Sequence, residues 1–177
     1  MPYVRQVNKA KWYRDPELPW LQPGQVPADA LSDLKTSDNE LSVFYTDGNK
    51  SSIEQIAVAM TTTKDDIHNF DYAILHEEDI DQLNVRVVSK PGKTAHDAVN
   101  SWHRDFIELT GQKLLDLAGV ILARGEIQRV LPKQVCQLMA RAMVSGQIDR
   151  SKVKLKPDEL AKIDRYNSQM DRLESSS

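Results

Sequence analysis

The sequence predicts an α+β fold, or a small α/β fold, with an extended N-terminal arm. Three observations support this prediction: a proline-rich beginning, three short runs of β-branched and aromatic residues before residue 91, and helical periodicity from residue 94 onward. The order strand, helix, strand, strand in the first half predicts a unit that packs against a helical second half. We expect residues 28–146 to form a single globular domain, followed by a charged C-terminal helix or tail over 147–177.

Residues 1–27 are predicted to form the extended arm, because proline lacks an amide proton and clashes with the preceding helical turn. The prolines of this segment are Pro2, Pro16, Pro19, Pro23 and Pro27. Two of the chain's three tryptophans, Trp12 and Trp20, also lie here. Tryptophan is uncommon in disordered tails, so we expect both side chains to pack on the domain or on a partner.

The predicted strands cover residues 41–46, 71–76 and 84–90, which read LSVFYT, DYAILH and NVRVVSK. Between the first two, the stretch SSIEQIAVAM has apolar residues at helical spacing and starts with the Ser51-x-x-Glu54 pattern of a capping box. We therefore expect one amphipathic helix between these strands.

The second half is predicted to begin with a helix from Ala95 to Leu109. At 100° per residue its apolar side chains form one stripe about 100° wide that includes Trp102. His96 and His103 fall at the borders of this stripe, where both reach water. A spacing of seven residues separates their Cα atoms by about 10 Å, too far for two imidazoles to hold one ion readily. We expect no metal site here.

Further helices are predicted over 112–123, over 132–145 and from Pro157. Gly125 and Gly146 are suited to end the first two, because glycine readily adopts the left-handed conformation. The single cysteine, Cys136, lies beside Val135 on the helix 132–145 and is expected to be a buried structural thiol.

Composition argues against several classes of protein. A net charge of −3 and a pI of about 5.8 give no overall attraction to nucleic acid or anionic membranes. The lone cysteine suits a reducing compartment, and neither a secretion signal nor a membrane-spanning run is present in the sequence. We expect a cytoplasmic protein that does not associate with membranes.

The clearest charge feature is HEEDIDQ, residues 76–82, which directly follows a predicted strand. Its four acids, Glu77, Glu78, Asp79 and Asp81, form either a solvated loop or a docking surface for a basic partner. Acids at a strand end can also bind magnesium, so a metal-dependent hydrolase or nuclease that uses these acids with His76 is an alternative. Nucleotide-binding glycine motifs and the serine-nucleophile turn are absent from the sequence.

A DNA-binding regulator is a second alternative. The helix 132–145 displays Lys133, Gln134 and Arg141, and the segment 150–156 is rich in lysine and arginine. However, the connection before this helix is longer than that of a helix-turn-helix, and the chain is acidic overall. Nucleic acid is therefore the weaker candidate partner.

The sequence thus predicts a non-catalytic cytoplasmic protein that binds another protein, as an accessory, immunity or antitoxin-like module. We expect a protein partner with basic character, no catalytic residue, no metal and no cofactor; a homo-oligomer is left open. The predicted partner-binding residues are Trp12, Trp20, Glu77, Glu78, Asp79 and Asp81.

Overall fold

The computed structural model describes the backbone of residues 1–13, 20–22 and 24–174, and the side chains of these residues up to Ser168. Its strands are β1 Pro2–Val7, β2 Leu41–Tyr45, β3 Phe70–His76, β4 Arg86–Ser89, β5 His103–Ile107 and β6 Ile127–Val130. Its helices are α1 Lys9–Trp12, α2 Ala28–Leu31, α3 Lys50–Thr61, α4 Glu77–Gln82, α5 Asp97–Asn100, α6 Gly111–Arg124, α7 Pro132–Val144 and α8 Pro157–Glu174. Short 3-10 turns cover Ser32–Leu34 and Arg150–Lys152. The α+β prediction is confirmed.

The strands form one six-stranded antiparallel sheet in the order β4-β5-β2-β1-β3-β6. β1 lies inside the sheet, where Tyr3 pairs with Tyr45 of β2 and with Leu75 of β3. The segment predicted as an arm therefore begins as an internal strand. Pro2 is compatible with this position because it is the first residue of the strand, where a missing amide proton is tolerated. Residues 14–19 and 23 of the predicted arm lie outside the described residues.

The chain divides into two compact units. The first comprises Met1–Asn49, Asp71–Pro91 and Trp102–Arg129, and the second comprises Lys50–Phe70, Gly92–Ser101 and Val130–Ser177. Each unit is assembled from separate segments of the chain. The expected boundaries after residues 27 and 146 stay a prediction.

The first unit has a continuous apolar core. Strand residues Val43 and Leu75 contribute to it together with Leu117 and Ile121 from α6. α6 starts after Thr110, whose hydroxyl accepts a hydrogen bond from the Lys113 amide, and it ends at Gly125 with a φ of 65°. The predicted stop at Gly125 is confirmed, since a left-handed residue there ends the helical hydrogen-bond pattern.

The predicted helix from Ala95 to Leu109 is wrong. Only Asp97–Asn100 are helical, and the chain then enters β5, where Phe106 pairs with Leu41 of β2. The segment His103–Ile107 has strand-compatible side chains, and pairing with strands on both sides overrides the helical periodicity. Trp102 is consequently only partly buried, and His96 is buried rather than open to water.

The second unit is built from helices. α3 packs on α7, and α7 packs on α8, with Ile56, Val135, Met139 and Ile163 fully buried. Cys136 is buried as predicted, and burial raises the pKa of its thiol. The cysteine therefore fills space in this unit.

Candidate binding cleft beside α4

The predicted acidic segment forms helix α4, which follows β3 without a loop. His76 is the residue before the first turn, and Glu77, Glu78 and Asp79 occupy that turn. Carboxylates are favoured there because the amide groups that start a helix carry partial positive charge. The sequence prediction located the acids correctly, but they belong to a helix and not to a loop.

A cleft of about 600 Å³ opens beside α4 within the first unit. Its lining includes five carboxylate side chains, those of Asp47, Glu77, Glu78, Asp81 and Glu126. The ammonium group of Met1 and the imidazole of His76 also line the cleft. Among the described lining residues, negative charge therefore clearly exceeds positive charge.

Glu77 is held in place by two donors. Its carboxylate accepts hydrogen bonds from the Met1 ammonium group at 3.0 Å and from the Tyr45 hydroxyl at 3.0 Å. These two hydrogen bonds lower the pKa of Glu77 against the opposing effect of burial. Glu77 is therefore a fixed negative charge at neutral pH.

Asp79 and Glu78 share one cation, Arg124, at the end of α6. The Arg124 guanidinium donates to both carboxylate oxygens of Asp79, at 2.9 and 2.8 Å, and to Glu78 at 2.7 Å. These contacts raise the pKa of Arg124. Asp79 is buried and does not line the cleft, so its role is to join α4 to α6. Glu78 remains exposed.

Asp81 and Glu126 complete the acidic lining. Glu126 contacts the His76 Nε2 atom through both carboxylate oxygens, at 3.1 and 3.2 Å. Asp81 is exposed, and its carboxylate has no hydrogen-bond or ion-pair partner within the described part of the chain. Of the predicted partner-binding acids, Asp81 is thus the one whose charge is least compensated.

The two tryptophans predicted to bind a partner have different environments. Trp12 is 3% exposed, and its indole Nε1 donates to the Asp33 carboxylate at 2.9 Å. Trp20 is 66% exposed. Trp12 therefore belongs to the core of the first unit, and of the two tryptophans only Trp20 exposes a large apolar surface.

Sequence reasoning missed the role of Asp33. Its carboxylate also accepts hydrogen bonds from the Asn8 amide at 2.7 Å and from the Lys11 ammonium group at 2.9 Å. Its backbone carbonyl accepts two more from Arg5. No local pattern could have shown this, because the partners lie more than 20 residues away in sequence.

Three cations of the alternative DNA-binding surface are paired with carboxylates of the second unit. Arg150 donates to both carboxylate oxygens of Asp164, at 2.6 and 2.9 Å. Lys152 lies 3.7 Å from Asp149, and Lys156 contacts Asp66 at 2.8 Å. These ion pairs make Arg150, Lys152 and Lys156 less available to phosphate groups.

The metal-dependent alternative would need several ligand side chains that converge on one point of the described structure. No group of three or more histidine, cysteine, aspartate or glutamate side chains converges there as a metal-ligand set. Groups of the chain itself already contact the carboxylates of Glu77, Glu78 and Glu126.

No family model, curated protein or solved structure matches this chain. Among the described helices, none is both long and apolar enough to cross a membrane.

A second buried carboxylate, Asp71, supports the sheet. Its oxygens accept hydrogen bonds from the Arg129 guanidinium at 2.6 and 2.8 Å and from the Lys9 amide at 2.9 Å. Burial alone would raise the pKa of Asp71, but the bonds from Arg129 and Lys9 more than offset it, and the pKa lies below its usual value. The ionised form is therefore stabilised by folding.

We expect Asp71→Asn to lower the free energy of unfolding by about 2–3 kcal/mol at neutral pH, because it removes charged hydrogen bonds. Since folding lowers the pKa of Asp71, its contribution is complete above the unfolded value of about 3.9 and is lost as pH falls below it. Urea unfolding of both proteins at neutral and acidic pH measures the difference. A difference that stays constant down to about pH 2 would contradict this assignment. Asp97→Asn, at an exposed carboxylate, is the control.

Proposed function

We propose that this chain is a non-catalytic cytoplasmic protein that binds another protein of basic character through the cleft beside α4. The observation that carries the proposal is the excess of carboxylates in that cleft, with Asp81 and Glu78 exposed at its wall. An arginine or lysine side chain of a partner is the group that such a cleft accommodates, since it brings both positive charge and an apolar stem.

The pairing of the acids supports binding over catalysis. Glu77 is fixed by Met1 and Tyr45, and Glu78 is held by Arg124, so these carboxylates keep a defined geometry. A preorganised set of charges loses little entropy when a partner docks. It also accelerates association with a partner of opposite charge.

Trp20 is the proposed apolar anchor of the same interaction. Its exposed ring lies in the first unit, as the cleft does. Exposed tryptophans often dominate binding energy once a partner buries them. An accessory, immunity or antitoxin-like module, which acts by occupying a basic partner, is the class of protein that uses such a surface.

The proposal is tested with two double variants of equal net charge. Glu78→Lys with Asp81→Lys reverses the cleft, whereas Asp65→Lys with Asp97→Lys reverses two exposed acids of the second unit. Each form is tagged, expressed in the organism of origin, purified and examined by native mass spectrometry. Thermal melting first establishes that both variants are folded.

We expect a stoichiometric protein partner with the wild type and with the second-unit variant, and a loss of that partner with the cleft variant. Mutations of close interface charges typically change affinity by tenfold or more, about 1.4 kcal/mol. A partner retained equally by all three forms, or no partner with the wild type, would contradict the proposal.

A further inference from the structure

The segment Gly92–Ser101, which contains α5, is held to the rest of the helical unit by a small set of contacts. It carries the buried side chains of Ala95, His96 and Val99, and α5 packs on α3. The segment contributes no described lining residue to the cleft beside α4. Its attachment is therefore a separate matter from the proposed partner binding.

Hydrogen bonds within the segment give it a shape of its own. The Asn100 side chain accepts a hydrogen bond from the Thr94 amide at 2.9 Å and donates one to the Thr94 carbonyl at 3.0 Å. The Gly92 amide donates to the Asn100 carbonyl at 2.8 Å. None of these three bonds has to break if the segment moves as one body.

Two hydrogen bonds of Ala95 join the segment to its surroundings. The Ala95 amide donates to the Thr62 hydroxyl at 3.1 Å, and the Ala95 carbonyl accepts from the Asp149 amide at 3.2 Å. Thr62 directly follows α3, and Asp149 comes after α7. The attachment therefore depends on these two bonds and on the burial of three side chains.

His96 is the one of these three side chains that can acquire a charge. The residue is 3% exposed, and both ring nitrogens are closed off from solvent without a hydrogen-bond partner among the described residues. In an imidazolium both nitrogens are donors, and a buried ionised group without partners is strongly destabilising. The closed position therefore accommodates only the neutral ring.

The charges around His96 do not compensate a proton on its ring. None of the charged side chains in this region is hydrogen-bonded to a ring nitrogen. Burial lowers the pKa of His96, and a contact with its own backbone and the charge of Asp97 only partly oppose this effect. The charged residues around the segment are Glu54 of α3, Arg141 of α7, Asp97 of α5 and, after α7, Asp149 and Lys152.

We propose that protonation of His96 releases the segment Gly92–Ser101 from α3 and from the residues that follow α7. On release, water solvates the imidazolium and the two hydrogen bonds of Ala95 break, whereas the bonds between Thr94 and Asn100 persist. Since the closed state lowers the pKa of His96, this state is most stable above the ordinary histidine value of about 6.5 and is lost progressively as pH falls below it. The helical unit thereby contains a switch that responds to mild acid.

Amide hydrogen exchange of the full-length protein, followed by NMR from about pH 7.5 to about pH 5, tests the release, because carboxylates titrate mainly below this range. The quantity compared is the protection factor, the exchange rate of an unstructured chain divided by the observed rate at the same pH. The amides of Ala95 and Asp149 report release, since their hydrogen bonds break. The Lys156 amide, which donates to the Asp65 carbonyl at 2.9 Å in the same unit, is the internal reference.

We expect the protection factors of Ala95 and Asp149 to fall at least about threefold over this range, since each unit by which the pKa is lowered shifts the opening equilibrium by up to about tenfold. The protection factor of Lys156 should stay constant. Equal losses at all three amides would show that the whole unit unfolds, and constant protection at Ala95 and Asp149 would show that the segment stays closed. Either result would overturn the proposal.

His96→Leu removes the titrating ring and keeps an apolar side chain at the same position. In this variant the protection of Ala95 and Asp149 should no longer depend on pH over this range. His68→Gln, at an exposed histidine of the same unit, is the matched control and should retain the dependence. A pH dependence that survives in His96→Leu would contradict the proposal.

The ring signals of His96 in the wild-type protein give a measurement that needs no variant. They should titrate with a midpoint below the ordinary value of about 6.5, because the closed state disfavours the proton. A midpoint at or above that value would show that the closed state tolerates the imidazolium, and the proposed switch would then be excluded.

Discussion

Trp12→Ala is expected to lower the free energy of unfolding by about 3–5 kcal/mol. The ring is almost completely buried in the core of the first unit, and its truncation leaves a cavity between α1 and the elements around it. It also leaves the Asp33 carboxylate without the indole donor at 2.9 Å. Urea unfolding followed by circular dichroism measures the loss.

Trp20→Ala is the matched control from the same N-terminal segment. Because Trp20 is exposed, its truncation should change the free energy of unfolding by less than about 0.5 kcal/mol. It should nevertheless weaken binding of the proposed partner, since that ring is the proposed anchor. Equal destabilisation by the two substitutions would show that the environments described for them are wrong.

Phe106→Ala should have an effect of similar size, about 3–5 kcal/mol. Phe106 is fully buried on β5, pairs with Leu41 and Val87 in the sheet, and its ring meets the Tyr3 ring edge-on at a centroid distance of 5.1 Å. The substitution removes both the apolar contacts and this aromatic pair.

Trp102→Ala is the informative comparison for Phe106→Ala. If residues 95–109 formed a helix, Trp102 would share the buried stripe and its loss would be equally costly. In the structure Trp102 is only partly buried just before β5, so the cost should be clearly smaller. Denaturant unfolding of the two variants under the same conditions separates the two arrangements.

Elements with strong local signals were predictable from the sequence. β2, β3 and β4 follow the runs of β-branched and aromatic residues, and α3 and α7 follow the apolar periodicity. α7 begins at Pro132, and Gly146 follows it with a φ of 70°, as a left-handed stop requires. Local chemistry decides these features, so they can be read from the sequence.

β1 and β5 could not be predicted because partners distant in sequence determine them. PYVRQV alone is ambiguous, and becomes a strand when it pairs with β2 on one side and β3 on the other. In β5, HRDFI shows no alternation of apolar and polar residues, and only Phe106 and Ile107 have a clear strand preference. Pairing with β2 and β4 makes this segment a strand, and both partners lie outside the local stretch from which a helix was predicted.

The same distinction holds for the cleft beside α4. The position of Glu77, Glu78, Asp79 and Asp81 after a strand was visible in the sequence. The sequence did not show which of these acids have a partner within the chain. Their partner Arg124 is 45 residues from Asp79 and 46 residues from Glu78. The burial of His96 was likewise hidden, since the predicted helix placed its side chain in water.

The most direct test of the proposed function is the rate at which the isolated partner associates with this protein over a series of salt concentrations. Exposed charges are screened over a Debye length of about 8 Å at physiological ionic strength, so salt should slow association progressively. Asp81→Asn and Glu78→Gln should each slow it in the same graded way, without any requirement for a divalent metal. An association rate that neither salt nor these substitutions change would contradict the account. A single indispensable acid together with a need for magnesium or manganese would instead place the chain among metal-dependent enzymes.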